Sequence, residues 1–176
     1  MRAMQTYVSF LRGINVGGRS IKMVDLKECF EKAGYFDVIT LLQSGNVVFR
    51  SETPGADEVR STLEIAVAKR FDYPAKLLVL KREQLSPIVR GYPFDRLNDD
   101  YQHYILFLLP GVLDGLMRFH TELDKSIEEI ARGDGVLYWK VRKGMTLDSA
   151  FAKVLTKAEF KEFHTSRNIK TVQKLV

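Results

Sequence analysis

The chain has 176 residues, of which 45% are hydrophobic and 28% charged, and this composition excludes a fibrous or disordered protein. Its single cysteine, Cys29, cannot form an internal disulfide, so we predict a soluble cytoplasmic protein. The longest apolar run, 104–109, is far shorter than the roughly 20 residues of a membrane span. Arg12 interrupts the first apolar stretch, 7–11, so no signal peptide is expected either.

The charge of the chain is unevenly distributed. Residues 140–176 contain nine Lys or Arg and three Asp or Glu, which gives a net charge of +6. Residues 1–139 contribute −1, so the total is +5. A basic C-terminal stretch of this kind attracts anionic partners, and it is also typical of solvated helix faces that are rich in lysine. Nucleic-acid binding by this stretch is therefore one alternative that the sequence leaves open.

The first half of the chain predicts six elements in the order strand, helix, strand, strand, helix, strand. β-Branched and aromatic runs predict the strands, and apolar residues at spacings of three and four predict the helices. Ser44-Gly45 predicts a tight hairpin turn, and Thr53-Pro54 predicts the N-cap and first residue of the second helix. The predicted elements are 7–11, 23–33, 38–43, 46–50, 54–70 and 75–80.

Cys29 belongs to the apolar stripe of the first predicted helix. Leu26, Phe30 and Ala33 recur on that stripe at helical spacing, and Gly34 follows where a helix usually ends. We therefore expect Cys29 to lie in the core rather than at a reactive site.

The second half predicts a degenerate copy of the same pattern. Its predicted elements are a strand at 103–109, a weak helix at 113–119, hairpin strands at 126–131 and 135–142, and helices at 147–155 and 169–176. The fold class is α+β, with two ferredoxin-like βαββαβ units in one compact domain. The predicted boundaries are 1–82 for the first subdomain, 83–100 for a connector that holds a short helix, and 101–176 for the second subdomain.

The loop 12–23 is a candidate ligand site. Residues 13–20 fit the P-loop pattern G-x-x-x-x-G-K-[ST] except that Arg19 replaces the compact lysine. The next helix begins only after Lys22 and a hairpin follows it, so a P-loop NTPase is not expected. A weaker hypothesis is an anion site, where glycines let the backbone approach the ligand and cations supply charge. Its residues are Arg12, Gly13, Asn15, Gly17, Gly18, Arg19 and Lys22.

The hairpin turn 43–46 is expected to lie beside this loop. In the usual ferredoxin-like order the first and third strands are antiparallel neighbours, so the third begins where the first ends. The turn would add the side chains of Gln43, Ser44 and Asn46 to a site for a small anionic or phosphate-bearing ligand. The alternative is that loop and turn satisfy only their own backbone groups.

Arg167 and Asn168 complete the candidate ligand-binding residues. Asn168 is interpreted as the N-cap of the last helix, and Arg167 as a cation that is either near a site or merely solvated. His103, His120 and His164 lie far apart without metal-site spacing, so no metal site is predicted. No cofactor or catalytic residue is assigned, and binding alone and catalysis both fit these residues.

Several longer strings stand out along the chain. They are LRGINVGG at 11–18, IKM at 21–23, QSGNVVF at 43–49, YPF at 92–94 and SRNIKTV at 166–172. Together they resemble the bacterial domain-of-unknown-function family sixteen-ninety-seven over nearly the whole chain. The resemblance implies a duplicated ferredoxin-like architecture and no established activity or cofactor. The chain departs from the family pattern at Ile169, where tryptophan is common, and at 146–151, where TLDSAF replaces a G-R-S-K-L-like stretch.

Three functions compete at this point. The first is binding of a small anionic ligand by the loop 12–23 and the turn 43–46. The second is nucleic-acid binding by the basic stretch, although the aromatic RNP1 pattern of RNA-binding ferredoxin-like sheets is missing. The third is a protein-interaction module that uses an exposed sheet edge. A single concave pocket would favour the first, and a broad basic face would favour the second.

Overall fold

The computed structural model describes residues 3–14 and 20–176. The chain divides into two compact units, one of residues 1–85 with Leu175 and one of residues 86–174 with Val176. Each unit contains a four-stranded antiparallel sheet. None of the helices within the described ranges has the length and apolar character that a membrane crossing requires.

The first unit has the predicted order of strands and helices. Its elements are β1 (Gln5–Arg12), α1 (Met23–Lys32), β2 (Phe36–Leu41), β3 (Asn46–Ser51), α2 (Ala56–Phe71) and β4 (Lys76–Lys81). A single 3₁₀ turn, Arg82–Gln84, leads into α3 (Leu85–Arg90).

The second unit repeats this order. Its further elements are β5 (Tyr101–Leu108), α4 (Leu113–Met117), β6 (Glu128–Arg132), β7 (Val136–Arg142), α5 (Ala150–Leu155), β8 (His164–Asn168) and α6 (Ile169–Gln173). The strand order is β2-β3-β1-β4 in the first sheet and β6-β7-β5-β8 in the second. The two orders are the same when β5 to β8 are matched with β1 to β4. The predicted α+β fold with two ferredoxin-like βαββαβ units is confirmed.

Aromatic side chains form the centre of the first unit's core. Phe49 of β3 lies 5.0 Å from Tyr35, 5.3 Å from Phe30 and 5.9 Å from Tyr7, measured between ring centroids. The contacts with Phe30 and Tyr35 are edge-to-face, which the ring quadrupoles favour. Phe30 lies in this cluster because the apolar residues of α1 recur at helical spacing and form the face that packs on the sheet.

Cys29 is buried beside Phe30 on the same helix, with 5% of its surface exposed. Burial raises the pKa of its thiol, and the reactive thiolate is therefore scarce at neutral pH. We expect a thiol reagent to label native Cys29 at least about a hundredfold more slowly than the urea-unfolded chain, because labelling requires opening of the first unit. Ellman's reagent measures both rates, and equal rates would contradict the burial.

The start of α2 differs from the prediction. The helix begins at Ala56 with Gly55 as its N-cap, and not at Pro54 after a Thr53 cap. The hydroxyl of Tyr7 donates a hydrogen bond to the carbonyl oxygen of Thr53 over 2.8 Å. The backbone NH of Thr53 donates to the hydroxyl of Ser51 over 3.0 Å. Thr53 is thus held in the connection between β3 and the helix.

The helices of the second half are shorter than predicted. α5 begins at Ala150 because Ser149 is its N-cap, and the Ser149 hydroxyl accepts a hydrogen bond from Ala152 N over 3.2 Å. Leu147 is 86% exposed, so its apolar character at helical spacing was misleading. The other two helices end earlier than predicted, at Met117 and at Gln173.

Strand β8 was missed because its inward positions are not apolar. Its sequence is HTSRN, and the alternating buried positions are Thr165 and Arg167. Period-two alternation of hydrophobic residues, the usual strand signal, is therefore absent. The neighbouring strand β5 supplies the apolar partners, with Phe107 opposite Thr165 and Ile105 opposite Arg167.

A buried carboxylate joins β6, β7 and α5 in the second unit. Glu128 is 1% exposed, and its Oε1 accepts a hydrogen bond from Phe151 N over 2.9 Å. Its Oε2 accepts a hydrogen bond from Trp139 Nε1 over 3.1 Å. The rings of Trp139 and Phe151 lie 5.6 Å apart. The carboxylate thus pairs two buried donors that the core would otherwise leave unsatisfied.

Candidate functional site

The hairpin turn of the first unit lies against the end of β1. Phe10 is opposite Asn46 in the antiparallel pair of β1 and β3, and Leu11 N donates to Gly45 O over 2.9 Å. A Cβ atom added to Gly45 would lie only 2.8 Å from Leu11 Cβ. The structure therefore brings the turn to the end of β1, where the candidate loop begins.

The polar side chains of this turn largely hold the turn itself. Asn46 is fully buried, and its Nδ2 donates to Leu41 O and to the Ser44 hydroxyl, both over 2.9 Å. Leu42 and Gly45 adopt positive φ angles of 57° and 71°, which close the turn. The amide nitrogen of Asn46 is thus engaged inside the protein.

Two cations face each other at the end of β1. Arg12 is half-buried and lies opposite Lys76 of β4, which is exposed. Side chains directly opposite in an antiparallel pair share a face of the sheet, and like charges there repel. An anion bound between them would relieve this repulsion. Lys76 is an addition to the residues that the sequence pattern indicated.

Part of the predicted loop site lies outside the described residues, namely Asn15, Gly17, Gly18 and Arg19. Gly13 is exposed with a φ of 68°, and Lys22 is exposed at the N-cap position of α1. Gln43 and Ser44 are exposed in the turn. Anion binding by this loop and turn stays a prediction.

Arg167 is buried, so it is not the solvated cation of the second sequence interpretation, and its role near a ligand site stays a prediction. It is 8% exposed within β8, and its guanidinium donates to the Thr165 hydroxyl over 2.6 Å and to Ser166 O over 2.9 Å. Burial lowers the pKa of Arg167 to about 10. The predicted N-cap is confirmed, since Asn168 Oδ1 accepts a hydrogen bond from Lys170 N over 2.9 Å.

A cleft with basic walls lies at one end of the second sheet. β7 and β8 both run antiparallel to β5, so their last residues meet its first residues, with Arg142 opposite Tyr101 and Asn168 opposite Tyr104. We call this space, of about 460 Å³, the second-unit cleft. Asn168 lines it, together with Arg96, Asp99, Gln102, His103, Lys143 and Lys170.

The loop that precedes β5 forms one wall of the cleft. Asp95 Oδ1 accepts a hydrogen bond from Leu97 N over 2.9 Å, and Asn98 Oδ1 accepts one from Asp100 N over 3.0 Å. These side-chain turns shape residues 95–100. Lys143 N donates to Asp100 O over 2.9 Å, which ties the end of β7 to the same loop.

The charges around the cleft favour an anion. Arg96, Lys143 and Lys170 are exposed on its walls and face a single carboxylate, Asp99. Within the described part of the chain, none of these three cations forms an ion pair. An anion entering the cleft would thus meet cations that no internal carboxylate has neutralised.

A histidine and a tyrosine form a buried pair beside the cleft. His103 is 6% exposed, and its Nδ1 lies 2.9 Å from the hydroxyl of Tyr92. The same hydroxyl lies 3.2 Å from the carbonyl oxygen of Trp139. The rings of Tyr92 and His103 meet edge-to-face, 5.6 Å apart at 81°. Burial raises the pKa of Tyr92 and lowers that of His103, so both are neutral at neutral pH.

The corresponding end of the first sheet carries the opposite charge. By strand order β1, β3 and β4 match β5, β7 and β8. The depression at their shared end has a volume of about 590 Å³, and its charged lining residues are Glu52, Glu58 and Lys81. The basic lining of the second-unit cleft therefore comes from its side chains and not from the fold.

Sequence reasoning missed most of the residues that line the cleft. Lys143 and Lys170 stand out only as members of the basic stretch, Arg96 falls in the connector, and His103 lacks a metal-site partner. The sequence did show cations near the ends of strands, which could have indicated the cleft. They come together only because β8, which was not predicted, pairs with β5. No group of three or more His, Cys, Asp or Glu that could hold a metal ion occurs among residues 3–14 and 20–176.

The family described as "Protein of unknown function (DUF1697)" matches residues 4–138. No curated protein matches the chain. Among solved structures, conserved bacterial protein SP0830 from Streptococcus pneumoniae is 27% identical with a TM-score of 0.80, over 98% of this chain and 97% of that chain. An unknown protein from Galdieria sulphuraria is 11% identical with a TM-score of 0.31, over 94% of this chain and 98% of that chain, and supports no inference.

Proposed function

Because the chain belongs to the DUF1697 family, whose description names no activity, we propose a function from the site itself: binding of a small anionic ligand, such as a phosphate ester, in the second-unit cleft. The observation that carries the proposal is the convergence of Arg96, Lys143 and Lys170 on one concave space. Its volume of about 460 Å³ lies in the usual range for small-molecule sites.

The net charge of the lining suits a phosphate group. Three basic side chains and one acidic side chain leave an excess of two positive charges. A phosphate monoester carries nearly two negative charges at neutral pH and accepts several hydrogen bonds. Gln102 at the start of β5 adds a neutral polar group to the same wall, and its Oε1 accepts hydrogen bonds from the hydroxyls of Tyr104 and Thr146.

The nucleic-acid alternative has fewer available cations in this region than the nine of the basic stretch. A nucleic-acid surface needs a broad array of available cations. Arg167 of the basic stretch is buried. Lys140 forms an ion pair with Glu129 over 2.6 Å, and its ammonium lies over the ring of Tyr101 at 4.7 Å from the centroid. Seven of the nine cations remain exposed, and two of these, Lys143 and Lys170, line the second-unit cleft.

A thermal-shift experiment tests the proposed site. We expect inorganic phosphate and glucose 6-phosphate to raise the melting temperature of the wild type, since ligands that bind only the native state stabilise it. The double variant Lys143→Ala/Lys170→Ala is expected to bind both at least about tenfold more weakly, because it loses two charged contacts. Binding should also weaken as salt is added, since the cleft is open to solvent.

The matched control is Lys153→Ala/Lys161→Ala, which removes two exposed lysines outside the cleft lining. Its phosphate-induced shift should equal that of the wild type, so a loss there would indicate a general charge effect. If the cleft variant keeps the shift and Arg12→Ala abolishes it, the anion site is instead the first-unit loop with the Arg12 and Lys76 pair. No phosphate-induced shift in the wild type would contradict both locations.

A further inference from the structure

The second-unit cleft has apolar lining residues that a phosphate group does not use. We infer that the organic part of its ligand is an apolar ring, so that the ligand class is a phosphate ester of an aromatic alcohol rather than a sugar phosphate. The inference rests on the proposed function. The three basic side chains bind the phosphate, and Leu97 and Tyr101 contact the ring.

Leu97 is an apolar residue of the cleft that a ligand can reach. It lines the cleft, and 90% of its surface is exposed. It directly follows Arg96, so one short loop supplies both a cation and an apolar side chain. A single exposed leucine is ordinary on a protein surface. One that lines a concave space together with cations is placed to contact a ligand that is charged at one end and apolar at the other.

The loop holds Leu97 in this position before a ligand arrives. The backbone NH of Leu97 donates a hydrogen bond to Asp95 Oδ1 over 2.9 Å, and Asp100 N donates one to Asn98 Oδ1 over 3.0 Å. Two such turns in succession restrict the loop, which lowers the entropic cost of ordering it on binding. The leucine side chain takes no part in either hydrogen bond, so contact with a ligand leaves both turns intact.

Tyr101 offers its ring to the cleft rather than its hydroxyl. The hydroxyl donates a hydrogen bond to Ser126 O over 2.9 Å. The ammonium of Lys140 lies 4.7 Å from the ring centroid, but Lys140 does not line the cleft, whereas Tyr101 does. The side of the ring that lines the cleft is therefore not the side that the ammonium covers. An aromatic ligand can pack on it edge-to-face or with an offset.

The neutral polar groups of the cleft are largely engaged within the protein. Gln102 Oε1 accepts hydrogen bonds from the hydroxyls of Tyr104 and Thr146, over 2.6 and 2.7 Å. Asn168 Oδ1 accepts one as the N-cap of α6. Sugar hydroxyls need acceptors for their protons, so they would gain less here than a ring gains from the apolar lining. The volume of about 460 Å³ leaves room for such a ring beside the phosphate.

Two phosphate esters with six carbon atoms each separate these ligand classes. Phenyl phosphate carries an apolar ring, whereas glucose 6-phosphate carries hydroxyls, and both are nearly doubly charged at about pH 8. We expect calorimetry on the full chain to give phenyl phosphate about tenfold tighter binding, an effect that burial of roughly 60 Å² of apolar surface supports. Inorganic phosphate should bind about as weakly as glucose 6-phosphate, because it makes the same charged contacts.

Leu97→Ser tests the residue itself, and its exposure means that the substitution leaves the fold intact. We expect this variant to bind phenyl phosphate about threefold more weakly and inorganic phosphate as the wild type does. The matched control is Leu147→Ser, because Leu147 is 86% exposed and lies outside the cleft lining. It should bind both as the wild type does. In the wild type, a nuclear Overhauser effect should connect the phenyl protons with the Leu97 methyl groups.

The outcomes distinguish this inference from the proposed function. Equal wild-type affinity for phenyl phosphate and glucose 6-phosphate, or no Overhauser effect to Leu97, overturns the inference and leaves the anion site standing. Binding of none of the three phosphates overturns both. A preference for phenyl phosphate that Leu97→Ser retains in full, or that Leu147→Ser loses equally, places the ring elsewhere and also overturns the inference.

Discussion

Replacing Glu128 with alanine is expected to lower the free energy of unfolding of the second unit by about 3 kcal/mol. The carboxylate accepts hydrogen bonds from Phe151 N and Trp139 Nε1, and all three residues are nearly inaccessible to solvent. Alanine leaves both donors buried without an acceptor, and each unsatisfied donor costs about 1–3 kcal/mol. The lost link also frees the first turn of α5 from β6.

Urea unfolding followed by the fluorescence of Trp139, the single tryptophan of the chain, measures this change in the second unit. Glu128→Gln should lose about half as much, because an amide oxygen can still accept one of the two hydrogen bonds. The control is Glu129→Ala, which removes only a partly exposed ion pair with Lys140 and is expected to cost under about 1 kcal/mol. An equal loss in both alanine variants would contradict the special role of Glu128.

The fold was predictable from the sequence where the signals were local. Apolar residues at spacings of three and four define α1, and Ser44-Gly45 between two strand-like runs defines the hairpin of β2 and β3. Both signals depend on residues close together in the chain. The strand β8 was not predictable in this way, because Thr165 and Arg167 occupy its buried positions and only pairing with β5 makes it a strand.

The candidate site was less predictable than the fold for a related reason. The prediction that the turn 43–46 lies beside the loop 12–23 depended only on the pairing of β1 with β3. The structure does bring the turn to the end of β1. The second-unit cleft is formed by three strand ends and a loop. Its residues Arg96 and Lys170 are separated by most of the second unit's sequence, so no local pattern links them. The basic stretch showed that charge was available. It did not show that Arg167 turns inward while Lys143 and Lys170 face one space.

Replacing Gly45 with alanine tests the contact between the hairpin turn and β1, and we expect it to destabilise the first unit by about 3 kcal/mol. Its φ of 71° lies in the left-handed region, where a side chain costs about 1–2 kcal/mol. The new Cβ would also lie 2.8 Å from Leu11 Cβ and 3.0 Å from Ile14 Cγ2. Ile14 can turn its side chain away, but Leu11 Cβ is attached directly to the backbone of β1, so relief of that contact requires the backbone to shift.

Gly13→Ala is the matched control, because Gly13 has a similar φ of 68° but no atom of the described residues lies within 4 Å of an added Cβ. This variant should lower the free energy of unfolding by only about 1 kcal/mol, the cost of placing a side chain at a positive φ. Cys29 reports on opening of the first unit, so its labelling rate in native buffer measures both variants. A difference of about 2 kcal/mol corresponds to labelling roughly thirtyfold faster in Gly45→Ala than in Gly13→Ala. Equal labelling rates would mean that the turn moves away from β1 at little cost, and the turn would then be too loosely attached to help form an anion site.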